Sequence, residues 1–316
     1  MVKKSMSTPK WLSWLRLARV PGVFTAIADV TVGFLVADGS MERLHVWGAL
    51  VLATSCLYSA GMILNDFFDR DLDATERPER PLPSGEISPP HAKAVGLALL
   101  VLGILVVFSL GSGNASVSWL RAGTFALALA ASIVFYDAFA KATLLGPLVM
   151  GGCRSLNVLM GVAVTQDVAT WSQYPAWTIA AGIGLYVMGI TWFARDEAIE
   201  SHRMHLAGGL VLMVIGFLML MFVPRLPGFS SRVGFTSDWV WPLLLCLMSG
   251  SVWSNAIRAL IKPNARAVQG TVKQGLLNII VFDAALALLL GGPQPAIGII
   301  LLLVPASLLG RLISLT

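Results

Sequence analysis

Ten apolar runs divide the chain, at about 20–37, 44–64, 93–111, 119–139, 144–165, 175–194, 206–223, 239–261, 274–291 and 295–313. Each is near the ~20 residues with which an α-helix crosses a hydrocarbon core about 30 Å thick. The pattern predicts an all-α, polytopic membrane helix bundle. Gly291, Gly292, Pro293 and Pro295 interrupt the last pair of runs, which leaves nine spans and ten both open. Ahead of the first run, Trp11, Leu12, Trp14, Leu15 and Leu17 interleave with Lys10, Arg16 and Arg19. That mixture predicts a short helix in the headgroup region, with residues 1–19 as an interfacial lead-in. No soluble domain, low-complexity tract or short repeat interrupts the runs, so residues 1–316 read as a single membrane-embedded domain.

One polar stretch, Asn65 to Gly85, breaks the pattern between the second and third runs. It gathers Asp66, Asp69, Asp71 and Asp73 with Arg70, Arg77 and Arg80. If the preceding apolar helix continues into it, Asp69 and Asp73 stand at about 300° and 340° from Asp66, on one arc, and Asp71 faces elsewhere. Carboxylates so placed repel one another, and a hard divalent cation relieves the repulsion. Mg²⁺ suits such a set because it accepts one or two carboxylates and leaves coordination positions for phosphate oxygens. Arg77 and Arg80, just beyond, are placed to meet those oxygens. An EF-hand loop is excluded, since its sixth and twelfth positions require Gly and Glu where this chain has Ala74 and Arg80. The bland alternative is a solvated loop whose charges only set topology.

Composition narrows the class. With 56% hydrophobic residues, 12% charged and a mean hydropathy of +0.78, the chain does not describe a soluble α/β enzyme. Cys56, Cys153 and Cys246 all fall inside apolar runs without metal spacing and read as small core residues. The N-terminus lacks the pattern of a cleaved signal peptide, which makes the first run also the first anchor. With that terminus in the cytoplasm, seventeen of the 22 lysines and arginines fall on the cytoplasmic side and four opposite, with Arg154 inside a span. The chain is thereby expected in a cell inner membrane, its acidic stretch facing the cytoplasm. A second polar knot, FARDEAIESHR, follows the sixth run on the same side. On a continuing helix its Asp196 and Glu200 are about 40° apart and could meet a shared cation. Alternatively, Arg195, Asp196, Glu197, Glu200 and Arg203 form an i, i+4 set that merely ends a helix.

In this arrangement the sequence resembles the UbiA superfamily of intramembrane prenyltransferases. Asn65, Asp66, Asp69 and Asp73 match the family's N-D-x-x-D-x-x-x-D, and Arg80 to Gly85 its R-P-L-P-S-G. Tyr136 and Lys141 resemble its Y-S-x-x-x-K signature, and Arg19 and Pro21 its approach to the first span. The resemblance extends from residue 15 to about 290. It implies a nine-helix core around a cavity, with Mg²⁺ and an isoprenyl diphosphate held by two acidic loops, so that the tenth run is an addition. It also implies transfer of the prenyl group to an aromatic or other lipophilic acceptor within the membrane. Asp66, Asp69, Asp73, Asp196 and Glu200 would hold the metal. Arg80 and Lys141 would bind the diphosphate with support from Arg77, while Asn65 and Tyr136 orient the site or steady an allylic cation. The second motif departs from the family: Glu200 stands where an aspartate is usual, and the seventh span follows within a few residues. That departure keeps a second class in view, a non-catalytic lipid carrier or a scaffold for metabolite export.

Arg154 and Asn157, one turn apart in the fifth run, are expected to reach acceptor or diphosphate, the alternative being a packing bond to a neighbouring helix. Asp29 and Asp283 are lone acids within spans. His45, His91, His202 and His205 lack zinc spacing. No nucleic-acid motif is present, and the net charge of +5 follows from the inside rule.

Overall fold

The structure, a computed structural model, describes residues 10–38, 43–111, 118–165, 167, 174–195, 203–227, 229 and 239–312. The described residues form helices joined by short turns. They are α1 (Lys10–Leu17), α2 (Val20–Asp38), α3 (Leu44–Glu76), α4 (Pro89–Ser109), α5 (Trp119–Phe135) and α6 (Gly146–Val162). After these come α7 (Tyr174–Phe193), α8 (Arg203–Phe222), α9 (Val240–Ile261), α10 (Ala265–Gly291), α11 (Pro293–Leu301) and α12 (Leu303–Leu312).

Among the described residues, nine helical segments are long and apolar enough to cross a bilayer, and the continuous stretch Pro293–Leu312 is one of them. The fifth run folds as α6, whose 17 residues are about 26 Å long, at the short end of what spans a hydrocarbon core. It is nonetheless central, packed against α2, α5 and α7. The tenth run is therefore helical and of spanning length, and it rests on α10 and α2.

Close packing of α2 on α6 depends on Gly33 and Gly161. A Cβ at Gly33 would fall 2.0 Å from the Val158 carbonyl oxygen, and one at Gly161 would fall 2.4 Å from that of Val30. Any larger side chain would push the two helices apart, which is the usual reason for small residues at a membrane helix interface. Elsewhere the core is aromatic and aliphatic, with Tyr186 edge-on to Phe282 at 5.1 Å between ring centres. Large apolar side chains such as Leu105, Leu247 and Leu301 are exposed around the bundle, as a surface solvated by lipid tails requires. Cys246 belongs to that outer surface. The expectation of three core cysteines holds for buried Cys56 but not for Cys246, because a helix that is apolar all round does not reveal its facing.

The lead-in helix α1 forms as expected and docks on the bundle. Leu17 is buried with Ile63, Leu82, Ile87 and Ala92, and the Ser13 hydroxyl donates to Glu86 at 2.5 Å. Trp11 stays exposed.

Candidate active site

Helix α3 is 33 residues long, about 50 Å, so it outruns the hydrocarbon core by roughly 20 Å and carries the acidic stretch out as continuous helix. The helical arc is realised: Asp66 and Asp73 are buried, Asp69 is half-buried and Asp71 is exposed. Each inward carboxylate meets a cation. The Arg19 guanidinium lies 3.0 Å from Asp66, and Arg80 lies 2.6 Å from Asp73 and 3.5 Å from Asp66. Lys141 pairs with Asp69, which also accepts a hydrogen bond from the Asn65 amide at 3.3 Å.

Three local structures aim these cations. Arg19, at the break between α1 and α2, holds a left-handed φ of 44°, which costs a side-chain-bearing residue about 1 kcal/mol or more. Strain of this kind persists where surrounding contacts over-determine it, here the ion pair with Asp66. Past α3 the chain folds back through Pro81 and Pro83. It turns at Gly85, whose φ of 78° suits glycine, while Leu82 and Ile87 are pinned in the α1 cluster. Arg80 is thereby returned over the carboxylates. Gly85→Ala should cost about 1 kcal/mol of stability by straining the turn that returns Arg80. Thermal unfolding of the variant checks this, and a midpoint equal to that of wild type would show that the turn does not hold Arg80. The third device is a π-helical turn, Tyr136–Ala140, at the end of α5. Such wide turns recur at functional sites, and this one places Tyr136 and Asp137 on a cavity wall and Lys141 beside Asp69.

Below the carboxylates lies a cavity of about 270 Å³. Arg19, Tyr136 and Asp137 line one part of it, and Met62, Ile133, Met150, Val187 and Leu276 make apolar walls. Its floor is polar. Thr54, on this floor, precedes Asp66 by 12 residues on α3, about 18 Å. Arg154 donates to Asp29 at 2.7 Å and to the Thr25 hydroxyl at 2.8 Å. Asn157 donates to the Ala26 carbonyl at 2.8 Å and accepts from Thr54 at 2.7 Å.

Of the residues singled out from sequence, Asn65, Asp66, Asp69, Asp73, Arg80 and Lys141 come together at the end of α3, with Tyr136 on the adjoining wall. Arg77 is exposed, its backbone N–H closing α3 on the Asp73 carbonyl at 2.8 Å. Arg154 and Asn157 line the cavity yet stand at its far end, bonded to α2 and α3. Asp196 and Glu200 lie outside the described residues. Arg19 as an Asp66 partner, Asp137, Tyr58 and Thr54 were not picked out by sequence reasoning. Arg19 carried a signal in the family-like approach to the first span, and Asp137 as an acid within the YDAFAK stretch.

The donor set fits Mg²⁺. Among the described residues no three acidic, histidine or cysteine groups close on one point. Mg²⁺ needs no such cage, since one or two carboxylates with water and phosphate oxygens complete its shell. Hard oxygen donors flanked by Arg19, Arg80 and Lys141 are what a Mg²⁺–diphosphate pair requires.

The wider likeness agrees. The chain is 30% identical over 152 residues to digeranylgeranylglyceryl phosphate synthase of Saccharolobus solfataricus, a match covering 47% of this chain and 50% of that one. This chain thus spans about half the length of that curated relative. A solved digeranylgeranylglyceryl phosphate synthase superposes with a TM-score of 0.64 at 20% identity, over 90% of this chain and 99% of the other. A UbiA homologue from Archaeoglobus fulgidus, solved bound to DMAPP and Mg²⁺, superposes with a TM-score of 0.57 at 14% identity, over 87% and 99%. At such identities the two structures speak to the fold alone. The UbiA prenyltransferase family matches residues 26–279, most of the chain, and together with the paired acids and bases of α3 this makes the protein a member of the UbiA prenyltransferase family.

Proposed function

We propose that the protein is a Mg²⁺-dependent prenyltransferase that moves a prenyl group from an isoprenyl diphosphate to a lipophilic acceptor within the membrane. The observation that carries this reading is the junction of two unlike environments. A cluster of three carboxylates and three cations adjoins an apolar cavity, and Arg19 and Tyr136 line that cavity beside the cluster. An isoprenyl diphosphate has the same two halves.

Mg²⁺, held by Asp66, Asp69 and Asp73 with Asp196 and Glu200, would neutralise the diphosphate and the charge it gains on leaving. Arg80, Lys141 and Arg19 turn from carboxylates to phosphate oxygens, with Arg77 in support, and Asn65 keeps Asp69 oriented. As the C1–O bond breaks, the Tyr136 ring face steadies the allylic cation. The apolar walls keep water from quenching it before the acceptor bonds to C1 and loses its proton. Arg154 and Asn157 line the far end of the cavity, bonded to α2 and α3 and away from the carboxylates. On this reading the chain lies in the cell inner membrane with its N-terminus and both acidic motifs on the cytoplasmic side, which the excess of lysine and arginine on that side supports.

Full-length protein in membranes, given radiolabelled geranylgeranyl or farnesyl diphosphate and a lipid extract, should release diphosphate and form a prenylated product only with Mg²⁺. A carrier or scaffold would bind the prenyl diphosphate and return it intact. The second motif has its own test: Glu200→Gln should weaken Mg²⁺-dependent diphosphate binding more than Glu197→Gln, because loss of one metal-facing charge leaves cationic charge uncompensated. Equal binding by both variants and wild type would leave the first motif to act alone.

A further inference from the structure

The transfer leaves one proton to be placed, because the acceptor reaches C1 with it and the product leaves without it. The apolar walls that protect an allylic cation also keep water from serving as the base. The proton therefore passes to a group on the cavity wall or to the departing diphosphate. Among the described residues, the polar side chains lining the cavity are cations, an amide, hydroxyls and a thiol, with one exception, the carboxylate of Asp137.

Asp137 is 3% exposed, and its Oδ2 has no hydrogen-bond partner. Of the buried polar atoms so left among the described residues, it is the one that belongs to the cavity wall. Lys141, four residues on, does not satisfy it and pairs with Asp69 instead. An unmet carboxylate oxygen in an apolar surrounding is costly, and its persistence calls for a use. The backbone holds it in place: the Lys141 N–H donates to the Tyr136 carbonyl at 3.1 Å and closes the π-helical turn. In so wide a turn, residues four and five apart share a face. Tyr136 and Asp137 thus stand on the side from which Lys141 reaches the carboxylate cluster, whereas the polar floor at Thr54 is about 18 Å away along α3. C1 is one bond from a diphosphate oxygen, and the attacking atom must come within bonding reach of C1. Its proton is released beside the wall that carries Asp137.

We propose that Asp137 is the base of this transfer, a role that rests on the reaction proposed above. As the C1–O bond breaks, its electron pair leaves with the diphosphate. An electron pair of the acceptor forms the new bond to C1, and the proton on the attacking atom moves to Asp137 Oδ2. Solvent takes that proton when the product leaves. The acceptor is accordingly one whose reacting atom carries a proton, a hydroxyl oxygen or an activated ring carbon.

Asp137→Asn keeps the shape of the side chain and removes the proton acceptor. Full-length protein in membranes is given Mg²⁺, a lipid extract and geranylgeranyl diphosphate tritiated at C1, and prenylated product is counted. Binding of the same substrate is read without the extract. Product formation should fall by about 100-fold or more, as for loss of a general base, while Mg²⁺-dependent substrate binding stays within about twofold. Asp137→Ala should fall as far and regain at least tenfold with added sodium formate but not with sodium chloride at equal concentration, a rescue that a merely structural role would not show. Product formation by Asp137→Asn within tenfold of wild type overturns the inference and gives the proton to the departing diphosphate. Loss of substrate binding in both variants overturns it as well, since the carboxylate then holds the site together, and so does a failure of formate to rescue. Wild type that forms no prenylated product defeats the reaction and the base with it, whereas product in wild type without loss in Asp137→Asn defeats the base alone.

Discussion

Asp66→Ala should lower Mg²⁺-dependent release of diphosphate from geranylgeranyl diphosphate by about 100- to 1,000-fold, the range found when one preorganised charge-stabilising group is removed from an active site. Asp66 is the carboxylate shared by two guanidiniums, Arg19 at 3.0 Å and Arg80 at 3.5 Å, and it is almost fully buried. Its removal takes away a proposed metal ligand and also leaves the strained Arg19 without the partner that fixes its side chain. Asp66→Asn, of the same shape, should fall nearly as far, because the two guanidiniums answer to its charge and not its shape. Asp71→Ala is the control: its side chain is 89% exposed and pairs with exposed Arg70, so turnover should match wild type. Equal release by wild type and Asp66→Ala would remove the acidic stretch from the chemistry.

Arg154→Met should destabilise the bundle by about 3–5 kcal/mol, the usual cost of breaking a buried ion pair from one side. The pair joins α2 to α6, and the fully buried Asp29 would be left without its cation. The double variant Asp29→Leu with Arg154→Met removes both charges and should recover a large part of the loss, because apolar pairs often replace buried ion pairs at little cost. Thermal unfolding in one detergent at one scan rate orders the variants, the scan rate being fixed because unfolding of such bundles is often irreversible. If the two losses simply add, the pair carries no coupling and the floor is held by packing alone.

Much of this protein was legible before folding because the informative patterns are local. A run of twenty apolar residues is a span whatever surrounds it, since lipid offers the backbone no hydrogen bonds except its own. The spacing of Asp66, Asp69 and Asp73 sets one helical arc, and the structure shows Asp71 turned outward as that arc requires. Run length left nine spans and ten both open; among the described residues nine helical segments reach spanning length, and the fifth run folds as the shorter helix α6. Facing was another matter. Cys246 and Cys56 sit in equally apolar runs, yet one faces outward and the other is buried.

What the sequence determined by itself is the membrane bundle, the place of its acidic motif and the family to which both belong. Tertiary structure alone decided which groups share a site. Arg19 meets Asp66 across 47 residues, Thr54 meets Asn157 across 103, and Arg154 meets Asp29 across 125. None of these pairs has a periodicity to announce it. They depend on how closely α2, α3 and α6 approach, and between α2 and α6 Gly33 and Gly161 permit that approach by presenting no side chain. The turn of chain that brings Arg80 back over Asp73 is similarly a matter of where Leu82 and Ile87 find a pocket. Local pattern specifies what each helix is, because backbone hydrogen bonding and hydrophobic length act within one segment. The site arises between segments, where packing determines which charges must neutralise one another.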